Sequence, residues 1–569
     1  MKTYINSIFL SLVMFLTSAC GDEFLEFVPE DQSTVASWYK NSNEIRQATA
    51  SLYHDPWFGY QDQFGWLAGD LLAGDMHHNW DQEGQFFYLS FNESNPYIDG
   101  GFQGLYNVIS YANLIIDDMP TIASGHGVDQ AVIDAALGEA RFFRGAAYFL
   151  LVEYWETVPI IEQPAAKVAA GDLFQPKNKT EDIYEFARRD FAFAAENLPT
   201  SDVAGRVTQW SAKGMLAKLH VTLGQRFAGG NPNVGSAEDF QIAADYAADV
   251  INNSGLSLAS NYEDLFKIDN EDDPEILWGI QFINQGYGTG NSRQARYARH
   301  SRITGDAQAW GGGKGMTVSY VQNLINNANG MEDERRRAIY MQNGDEYSYI
   351  GGGYLYEIVS RDEDDVQMEG ATPTLNNLKK YVVGGVADHG YIISNQDSPL
   401  DMYMLRLADV YLLHAEALLG TQASLAGGPG YNSYLAVRDR AGLGDPGVPL
   451  TYERLFNERR VEFGLEGLAW LDVRRRFYRD ANDALNYLNN QGRTDRYYRI
   501  DPNDDLENDP AGYELVPAGG GVGTNPDNVN NDPVITFTAS DMVMPIPAQQ
   551  QTVNPLLKPG ADVVDYFED

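Results

Sequence analysis

Five stretches of the chain carry apolar residues at spacings of three and four, which place side chains on one face of an α-helix. In 183–198, for example, Ile183, Ala187 and Phe191 share such a face, and Pro199 follows as a helix-ending residue. The other four stretches are 137–155, 208–224, 239–252 and 404–419. The pattern predicts at least five helices and a mainly α-helical chain.

Small and large apolar residues alternate within these stretches, which lets paired helices approach closely. In 208–224, Ala212 lies between Trp210 and Met215, and Gly224 is expected to end the helix. Such alternation is typical of tetratricopeptide-like helical hairpins, although no strict period of about 34 residues is present. The predicted fold class is therefore all-α dominated, a tetratricopeptide-like helical-repeat scaffold with minor short strands.

Two long segments, about 257–400 and 477–540, lack this periodicity. Gly, Asn, Asp and Tyr dominate the first, with the runs GYGTGN, GGGKG and GGGYLY, and Asn, Asp, Gly and Pro dominate the second. These compositions predict long ordered loops with short strands or helices, not linkers between independent domains. A rigid helical scaffold that carries long aromatic loops is typical of a binding protein.

The balance of charge argues against one broad class of function. The 569 residues include 40 lysines and arginines against 80 aspartates and glutamates, a formal net charge of −40. Such a field repels phosphate backbones, so the chain is not expected to bind nucleic acid. The same repulsion disfavours a polyanionic ligand and favours a neutral one.

The first residues have the features of a bacterial lipoprotein signal peptide. Lys2 gives a basic start, an apolar run covers 8–16, and small residues directly precede Cys20, the single cysteine of the chain. We expect 1–19 to be removed and Cys20 to be lipidated, with 20–569 forming one domain. The alternative is an ordinary signal peptide followed by a chance cysteine. No other stretch is apolar and long enough to cross a membrane.

Several sequence runs occur in a specific order along the chain. They are CGDEFLE (20–26), EARFFRGAAYFLLVEYWETVPI (139–160), GRVTQWSAKGMLAKLHVTLG (205–224), LRLADVYLLHAEALLG (405–420), YLAVRDRAGL (434–443), ERRVEFGLEGLAWLDVRRR (458–476) and MPIPAQQQTVNPLL (544–557). Together they resemble the SusD/RagB family of Bacteroidetes outer-membrane nutrient-binding lipoproteins. The resemblance covers essentially the whole chain after the signal peptide.

This resemblance implies a helical scaffold with a loop-rich layer and a SusC-like TonB-dependent transporter as partner. Members of the family cover the transporter like a lid and capture oligosaccharides without cleaving them. Asp22 and Glu23, just after Cys20, resemble the surface-export signal of Bacteroidetes lipoproteins. They imply a lipid-anchored protein on the outer face of the outer membrane.

Carboxylates at regular spacing raise the alternative of a glycosidase. Glu458, Glu462 and Glu466 share one helix face, and a glycosidase needs two carboxylates across a cleft. Six arginines crowd the same region: Arg454, Arg459, Arg460, Arg474, Arg475 and Arg476. Because buried charges need partners, we interpret the glutamates as members of an ion-pair network with Arg406, Asp409 and Glu416, and predict no enzymatic activity.

Metal chemistry has little support in the sequence, and no cofactor is expected. His77 and His78 are adjacent but lack the HExxH spacing, so zinc is a remote alternative. The acidic runs 271–273 and 362–365 offer oxygen ligands for calcium, although such runs are more often solvated loops.

Aromatic residues beside polar ones in loop-like sequence are the candidates for ligand binding. Sugars stack their C–H faces on aromatic rings, and polar side chains bind their hydroxyls. The candidates are Trp80, Trp310, Asn79, Asp81, Trp66, Tyr60, Arg293 and Tyr354. The family resemblance implies that the loop after the first helix and the loop near the middle of the chain supply the stacking platform. This favours Trp80 and Trp310 among the candidates.

These observations predict a cell-surface lipoprotein that captures a neutral poly- or oligosaccharide and delivers it to a SusC-like transporter. A peptide- or protein-binding uptake lipoprotein on the same scaffold is the alternative.

Overall fold

The computed structural model describes residues 38–78, 80–231, 233–285, 289–298, 301–305, 309–310, 314–342, 344–356, 376–393, 396–499, 513–516 and 532–567. The signal peptide, Cys20, Asn79 and the acidic run 362–365 lie outside these residues. Within them, no helix is both long and apolar enough to cross a membrane.

Helices make up most of the described structure. They are α1 (Ser42–Ala50), α2 (Asp81–Tyr88), α3 (Pro96–Gly125), α4 (Gln130–Trp155), α5 (Pro164–Ala170), α6 (Thr180–Asn197), α7 (Gln209–Ala228), α8 (Glu238–Asn253), α9 (Arg293–Tyr297), α10 (Ser301–Thr304), α11 (Val318–Asn327), α12 (Arg336–Ile339), α13 (Val386–His389), α14 (Leu407–Leu419), α15 (Pro429–Arg440), α16 (Tyr452–Glu462), α17 (Ala469–Arg479), α18 (Ala481–Asn489) and α19 (Ala548–Val553). Short 3₁₀ turns and the π-helical stretches Tyr60–Phe64 and Leu67–Leu71 supplement them.

The strands are short and pair two by two. They are β1 (Met76–His77), β2 (Lys177–Asn178), β3 (Ile276–Ile280), β4 (Gly315–Met316), β5 (Tyr340–Met341), β6 (Glu346–Tyr347), β7 (Tyr354–Leu355), β8 (Asn377–Leu378), β9 (Met402–Arg406), β10 (Arg496–Arg499), β11 (Tyr513–Val516) and β12 (Val563–Val564). The antiparallel pairs are β1–β4, β3–β9, β5–β8, β6–β7 and β10–β11, and β12 pairs with β2 in parallel.

The main helices form one continuous row. Helix α3 packs on α4, α4 on α6, α6 on α7 and α7 on α8. Although about 150 residues separate α8 from α14 in sequence, α14 packs directly on α8 and α15 on α14. This arrangement of successive helical hairpins confirms the predicted all-α, helical-repeat fold class.

Several predicted helix boundaries differ from the structure, and α4, predicted from residue 137, already begins at Gln130. Residues 404–406 belong to β9, which pairs with β3, so α14 begins at Leu407. Gly224 does not end its helix, which continues to Ala228. A Cβ atom at Gly224 would lie 2.8 Å from the Phe240 ring, so this glycine serves the close packing of α7 on α8.

A buried ion-pair network joins the helical row to the loop-rich layer. Arg406 on β9 binds both carboxylate oxygens of Glu466 at 2.9 and 2.8 Å, and also Glu462 and Glu275. Arg335, from the loop-rich layer, binds Glu458 at 2.6 Å and Glu462 at 3.0 Å. Burial alone would raise the pKa of Glu462, but Arg440, Arg406 and Arg335 outweigh it and hold that pKa below its ordinary value.

Ion pairing of Glu458, Glu462 and Glu466 is therefore confirmed, and of the expected arginines only Arg406 is a partner. Their partners are Arg335, Arg406, Arg438, Arg440 and Lys380. The nearby arginines bind elsewhere: Arg459 to Asp409 and Asp472, Arg460 to Asp75, Arg474 to Glu156, Arg475 to Glu416 and Asp472, and Arg476 to Glu453 and Asp483. Arg454 is exposed.

Glycines let the π-helical stretches approach the rest of the molecule. A Cβ atom at Gly104 of α3 would lie 2.4 Å from the backbone nitrogen of Tyr60. In the same way, a Cβ atom at Gly69 would lie 2.1 Å from the carbonyl oxygen of Gly467. These contacts between backbones bury the whole segment against α3 and the α16–α17 connection.

We predict that Gly104→Ala lowers the free energy of unfolding by about 2 kcal/mol, because the added methyl group forces α3 away from Tyr60. Gly100→Ala, one turn earlier on the same helix, is the matched control. Its nearest atom is 3.8 Å away, so the better helix propensity of alanine should leave stability unchanged or raise it by up to about 1 kcal/mol. Chemical denaturation measures both, and equal stability of the two variants would contradict the close-approach explanation.

Candidate functional site

Two tryptophans stand out at the surface of the loop-rich layer. Trp80, directly before α2, is 73% exposed, and Trp310 is 45% exposed. The backbone of Trp80 is fixed because its carbonyl oxygen accepts a hydrogen bond from the Gly84 N–H, at 2.9 Å. The N–H of Trp310 donates to the carbonyl oxygen of Ala295 on α9. Exposed indole rings on fixed backbone are suited to stack on a flat ligand.

One buried carboxylate connects the segments that carry these two rings. Glu83, three residues after Trp80, binds Nη1 of Arg296 at 2.5 Å. Arg296 directly follows Ala295, whose carbonyl oxygen binds the Trp310 N–H. The second carboxylate oxygen of Glu83 lies 2.8 Å from Nε2 of His78 and 3.7 Å from Nζ of Lys314. Trp80 and Trp310 therefore belong to segments held by the same ion-pair cluster, formed by His78, Glu83, Arg296 and Lys314.

The pKa values show how strongly this cluster is coupled. Burial would raise the pKa of Glu83, but the His78 hydrogen bond and the charges of Lys314 and Arg296 lower it to about 2. Burial lowers the pKa of Lys314 to about 8, against the attraction of Glu83. Burial also lowers the pKa of His78. The cluster thus exists at neutral pH as a carboxylate between cations.

Trp66 lies beneath this cluster and not on the surface. Its side chain is fully buried, and the cationic groups of Arg293, Arg296 and Lys314 lie 5.8, 5.7 and 5.4 Å from the ring centroid. The prediction that Trp66 contacts ligand is therefore wrong, because the π-helical segment that carries it turns inward. The ring supports the cluster through cation–π contacts.

Tyr60 and Arg293 were also predicted to contact ligand, and both are buried in the interior. The Tyr60 ring packs against Trp57 and Phe64, and Arg293 donates through Nη2 to the carbonyl oxygen of Gln61 at 3.0 Å. Arg293 is buried because it lies on the short helix α9, all five residues of which are buried, whereas for Tyr60 the physical reason is the same as for Trp66. The glycine-rich sequence around Tyr60 forms a buried helix where a surface loop was expected.

The remaining candidates divide into three situations. Asp81 is exposed at the start of α2, next to Trp80, with a positive φ of 44°. Tyr354 is half-buried in the β6–β7 hairpin, opposite Tyr347. Asn79 lies outside the described residues. Ligand contact by Trp80, Trp310, Asp81, Tyr354 and Asn79 stays a prediction.

The described residues contain no group of three or more His, Cys, Asp or Glu side chains placed to hold a metal ion. His77 packs against Phe87, and His78 is bound to Glu83. Glu271 accepts a hydrogen bond from the backbone of Asp401, and burial raises the pKa of both carboxyl groups.

Sequence reasoning missed Glu83, Arg296 and the supporting role of Lys314. Glu83 lies in a short helix of modest periodicity, and its cationic partners Arg296 and Lys314 are more than 200 residues away in sequence. Lys314 was noted only as the end of a glycine run. A single sequence contains no signal for pairs at such separation.

This fold and site define a class: a helical-repeat binding protein that presents exposed aromatic rings on a loop-rich layer. Residues 274–559 match the family described as the SusD family, and residues 24–221 match one described as starch-binding and associating with the outer membrane. The chain belongs to the SusD family, as its sequence runs predicted.

A relative and two solved structures illustrate the likeness. A SusD-like protein of Bacteroides ovatus is 32% identical over 555 residues, which cover 96% of each chain. A solved structure described as containing a xylogluco-oligosaccharide is 30% identical, covers 92% of this chain and 99% of that one, and superposes with a TM-score of 0.77. A SusD superfamily protein from Bacteroides vulgatus shares the fold at 20% identity, 91% and 98% coverage and a TM-score of 0.65.

We predict that Glu83→Gln destabilises the protein by about 3 kcal/mol at neutral pH, because Lys314 then lacks its buried counter-charge and Arg296 keeps only Asp62, 3.7 Å away. The folded-state pKa of Glu83 is depressed, so its contribution is present above about pH 4.5 and is lost as the pH falls toward about 2. The difference from wild type should therefore shrink in acid. Glu93→Gln, an exposed change nearby, is the control in denaturant titrations at each pH. A constant difference across this range would contradict the assignment.

Proposed function

We propose that the chain is a cell-surface glycan-binding lipoprotein that captures a neutral oligosaccharide on Trp80 and Trp310 and passes it to a SusC-like TonB-dependent transporter. The observation that carries this proposal is the pair of exposed indole rings on segments fixed by one ion-pair cluster. Arg296 and Lys314 neutralise the Glu83 charge. The platform offers two indole faces for stacking, with the exposed Asp81 beside Trp80 as a hydrogen-bond acceptor for sugar hydroxyls. Those are the interactions that an uncharged sugar uses.

The comparisons support a particular ligand class. The solved structure with a xylogluco-oligosaccharide matches nearly the full length of this chain at 30% identity. The negative charge of the chain also favours a neutral glycan. We therefore propose a neutral glucan of the xyloglucan type as the first ligand to test.

We infer that the protein binds its glycan without cleaving it. A glycosidase needs two accessible carboxylates across a cleft. Glu458, Glu462 and Glu466 are buried and bound to arginine or lysine, which leaves them no access to substrate. Capture followed by transfer to a transporter is the role that the family resemblance implies for such a site.

We predict that Trp80→Ala and Trp310→Ala each weaken binding to xyloglucan about tenfold or more, because each removes one stacking face. Affinity gel electrophoresis of the protein without residues 1–20 measures the retardation. Ile325→Ala, which removes an exposed apolar side chain on α11, is the control and should bind like wild type. Full binding by both tryptophan variants would contradict the platform. Retardation by no glycan in a neutral panel, together with binding of peptides, would favour the peptide-uptake alternative.

Lipidation of Cys20 gives a second test of the proposal. We predict that Cys20→Ala moves the protein from the membrane fraction to the soluble fraction, because the thiol that would carry the lipid is lost. Ser7→Ala, a change within the same signal peptide, should leave the protein in the membrane fraction. Protease added to intact cells should digest the wild-type protein, and a tagged wild type should copurify with a transporter. Unchanged membrane association of Cys20→Ala would contradict the anchor.

A further inference from the structure

A second concave surface lies away from Trp80 and Trp310, between α3 and the last helical segment of the chain. Its cavity volume is about 250 Å³. One wall is formed by Gln103, Tyr106 and Asn107 of α3, and the opposite wall by Gln550 and Asn554. The turn at Pro159–Ile161 and the segment Leu173–Gln175 close the ends. We call this surface the amide cleft.

The amide cleft is uncharged. Five of its lining residues carry side-chain amides, and the others are aromatic, aliphatic or proline, so among the described residues that line it none carries a formal charge. This composition is unusual in a chain with 21% charged residues and a net charge of −40. Amides both donate and accept hydrogen bonds, and they suit a ligand rich in hydroxyl groups.

One carboxylate behind the cleft orients two of the amides. Asp99 accepts a hydrogen bond from Nε2 of Gln103 at 2.7 Å through one oxygen, and from Nε2 of Gln550 at 2.9 Å through the other. Because both NH₂ groups are held by Asp99, the carbonyl oxygens of the two side chains are turned away from it. Binding groups that are already oriented lose less entropy when a ligand binds.

The frame of the cleft is also fixed. Asn554 donates to the carbonyl oxygen of Gln175 at 2.8 Å and accepts from the backbone of Leu556, so its amide is committed to structure. Tyr106 donates to the carbonyl oxygen of Pro159 at 2.8 Å, which leaves its oxygen able to accept. Asn107 is exposed on the same face of α3, one turn beyond Gln103, with its amide available to a ligand.

The rim adds apolar contact area. Tyr111 continues the Gln103–Asn107 face of α3 and is 42% exposed, and Phe174, beside the lining residue Leu173, is 51% exposed. These rings place aromatic faces next to the amides of the cleft.

We propose that the amide cleft is a second binding place on this chain for a neutral sugar unit of the captured glycan. The proposal rests on the proposed function, because it assumes that glycan reaches the protein. Asn107, Gln103 and Gln550 supply the hydrogen bonds, and Tyr106 and the rim supply the apolar faces.

The position of the cleft fits one glycan chain touching both places. Asn95, which caps α3, donates to the carbonyl oxygen of Gln82 on α2, the helix that follows Trp80. Asn107 lies twelve residues further along α3, about 18 Å along the helix axis. A polymer that reaches both places gains from their combined occupancy, whereas a short fragment does not.

The test separates the two places by paired variants. Trp80→Ala/Trp310→Ala removes the platform, Asn107→Ala/Gln550→Ala removes two amides of the cleft, and a fourfold variant removes both. Gln241→Ala, an exposed amide on α8, is the matched control. Saturation-transfer NMR with xylose, glucose and cellobiose reports sugar contact, and thermal melting confirms that each variant folds.

We expect the platform variant still to show saturation transfer to at least one of these sugars. In the fourfold variant, the saturation-transfer signal should be about tenfold weaker. No transfer in the platform variant, or transfer that the cleft changes leave intact, overturns the proposal. Reduced copurification of a transporter by the cleft variant, with unchanged sugar signals, also overturns it and assigns the cleft to a protein partner. The proposed function fails separately, if the platform variant binds xyloglucan polymer as wild type does.

Discussion

The structure depends on charges that are buried and balanced. Five carboxylates and five cations share one interior network: Glu275, Asp333, Glu458, Glu462 and Glu466 with Arg335, Arg406, Arg438, Arg440 and Lys380. Burial is costly even here, since it lowers the pKa of Lys380 to about 8 beside Glu466. The network connects the loop-rich layer to the helical row. Arg335 and Lys380 come from the loop-rich layer, and Glu458 and Glu462 come from α16. A layer with little regular structure keeps a fixed position since moving it would leave charges buried without partners.

The same solution recurs on a smaller scale under the proposed platform. Helix α2 has only eight residues, too few to be stable by itself, and Glu83 holds it to Arg296 and Lys314. Trp66 completes this support from below through its cation–π contacts. The buried charges therefore hold these segments in place, and the indole rings of Trp80 and Trp310 stay exposed above them, with Asp81 beside Trp80. Stability and recognition are assigned to different side chains, which allows the exposed rings to vary without loss of the fold.

The sequence predicted the helical row well because periodicity is a local signal, and each of the five apolar stretches became a helix of the scaffold. The sequence-based prediction failed where glycine is compatible with either a loop or close helix packing. Aromatic residues beside glycine and polar residues indicated a loop around Tyr60 and Trp66, but Gly59 and Gly69 permit close backbone packing of a buried π-helical segment. The exposed positions of Trp80 and Trp310 followed from the family resemblance and not from spacing. Glu83 and Arg296 were beyond reach, because 213 residues separate them and no local pattern records such a pair.

The placement of charge also bears on how a strongly acidic protein holds a neutral ligand. Glu83 is neutralised by cations beneath the platform, and Asp99 is engaged by two amides behind the cleft. Each place then offers stacking and neutral hydrogen bonds, which individually contribute only about 1 kcal/mol. Weak contacts of this kind release short fragments readily. A polymer that spans both places is retained more strongly than either place alone would retain it, since the second contact forms at high effective concentration. For the proposed role, the capture of a long glycan and its release to a transporter, two weak places are better suited than one strong one.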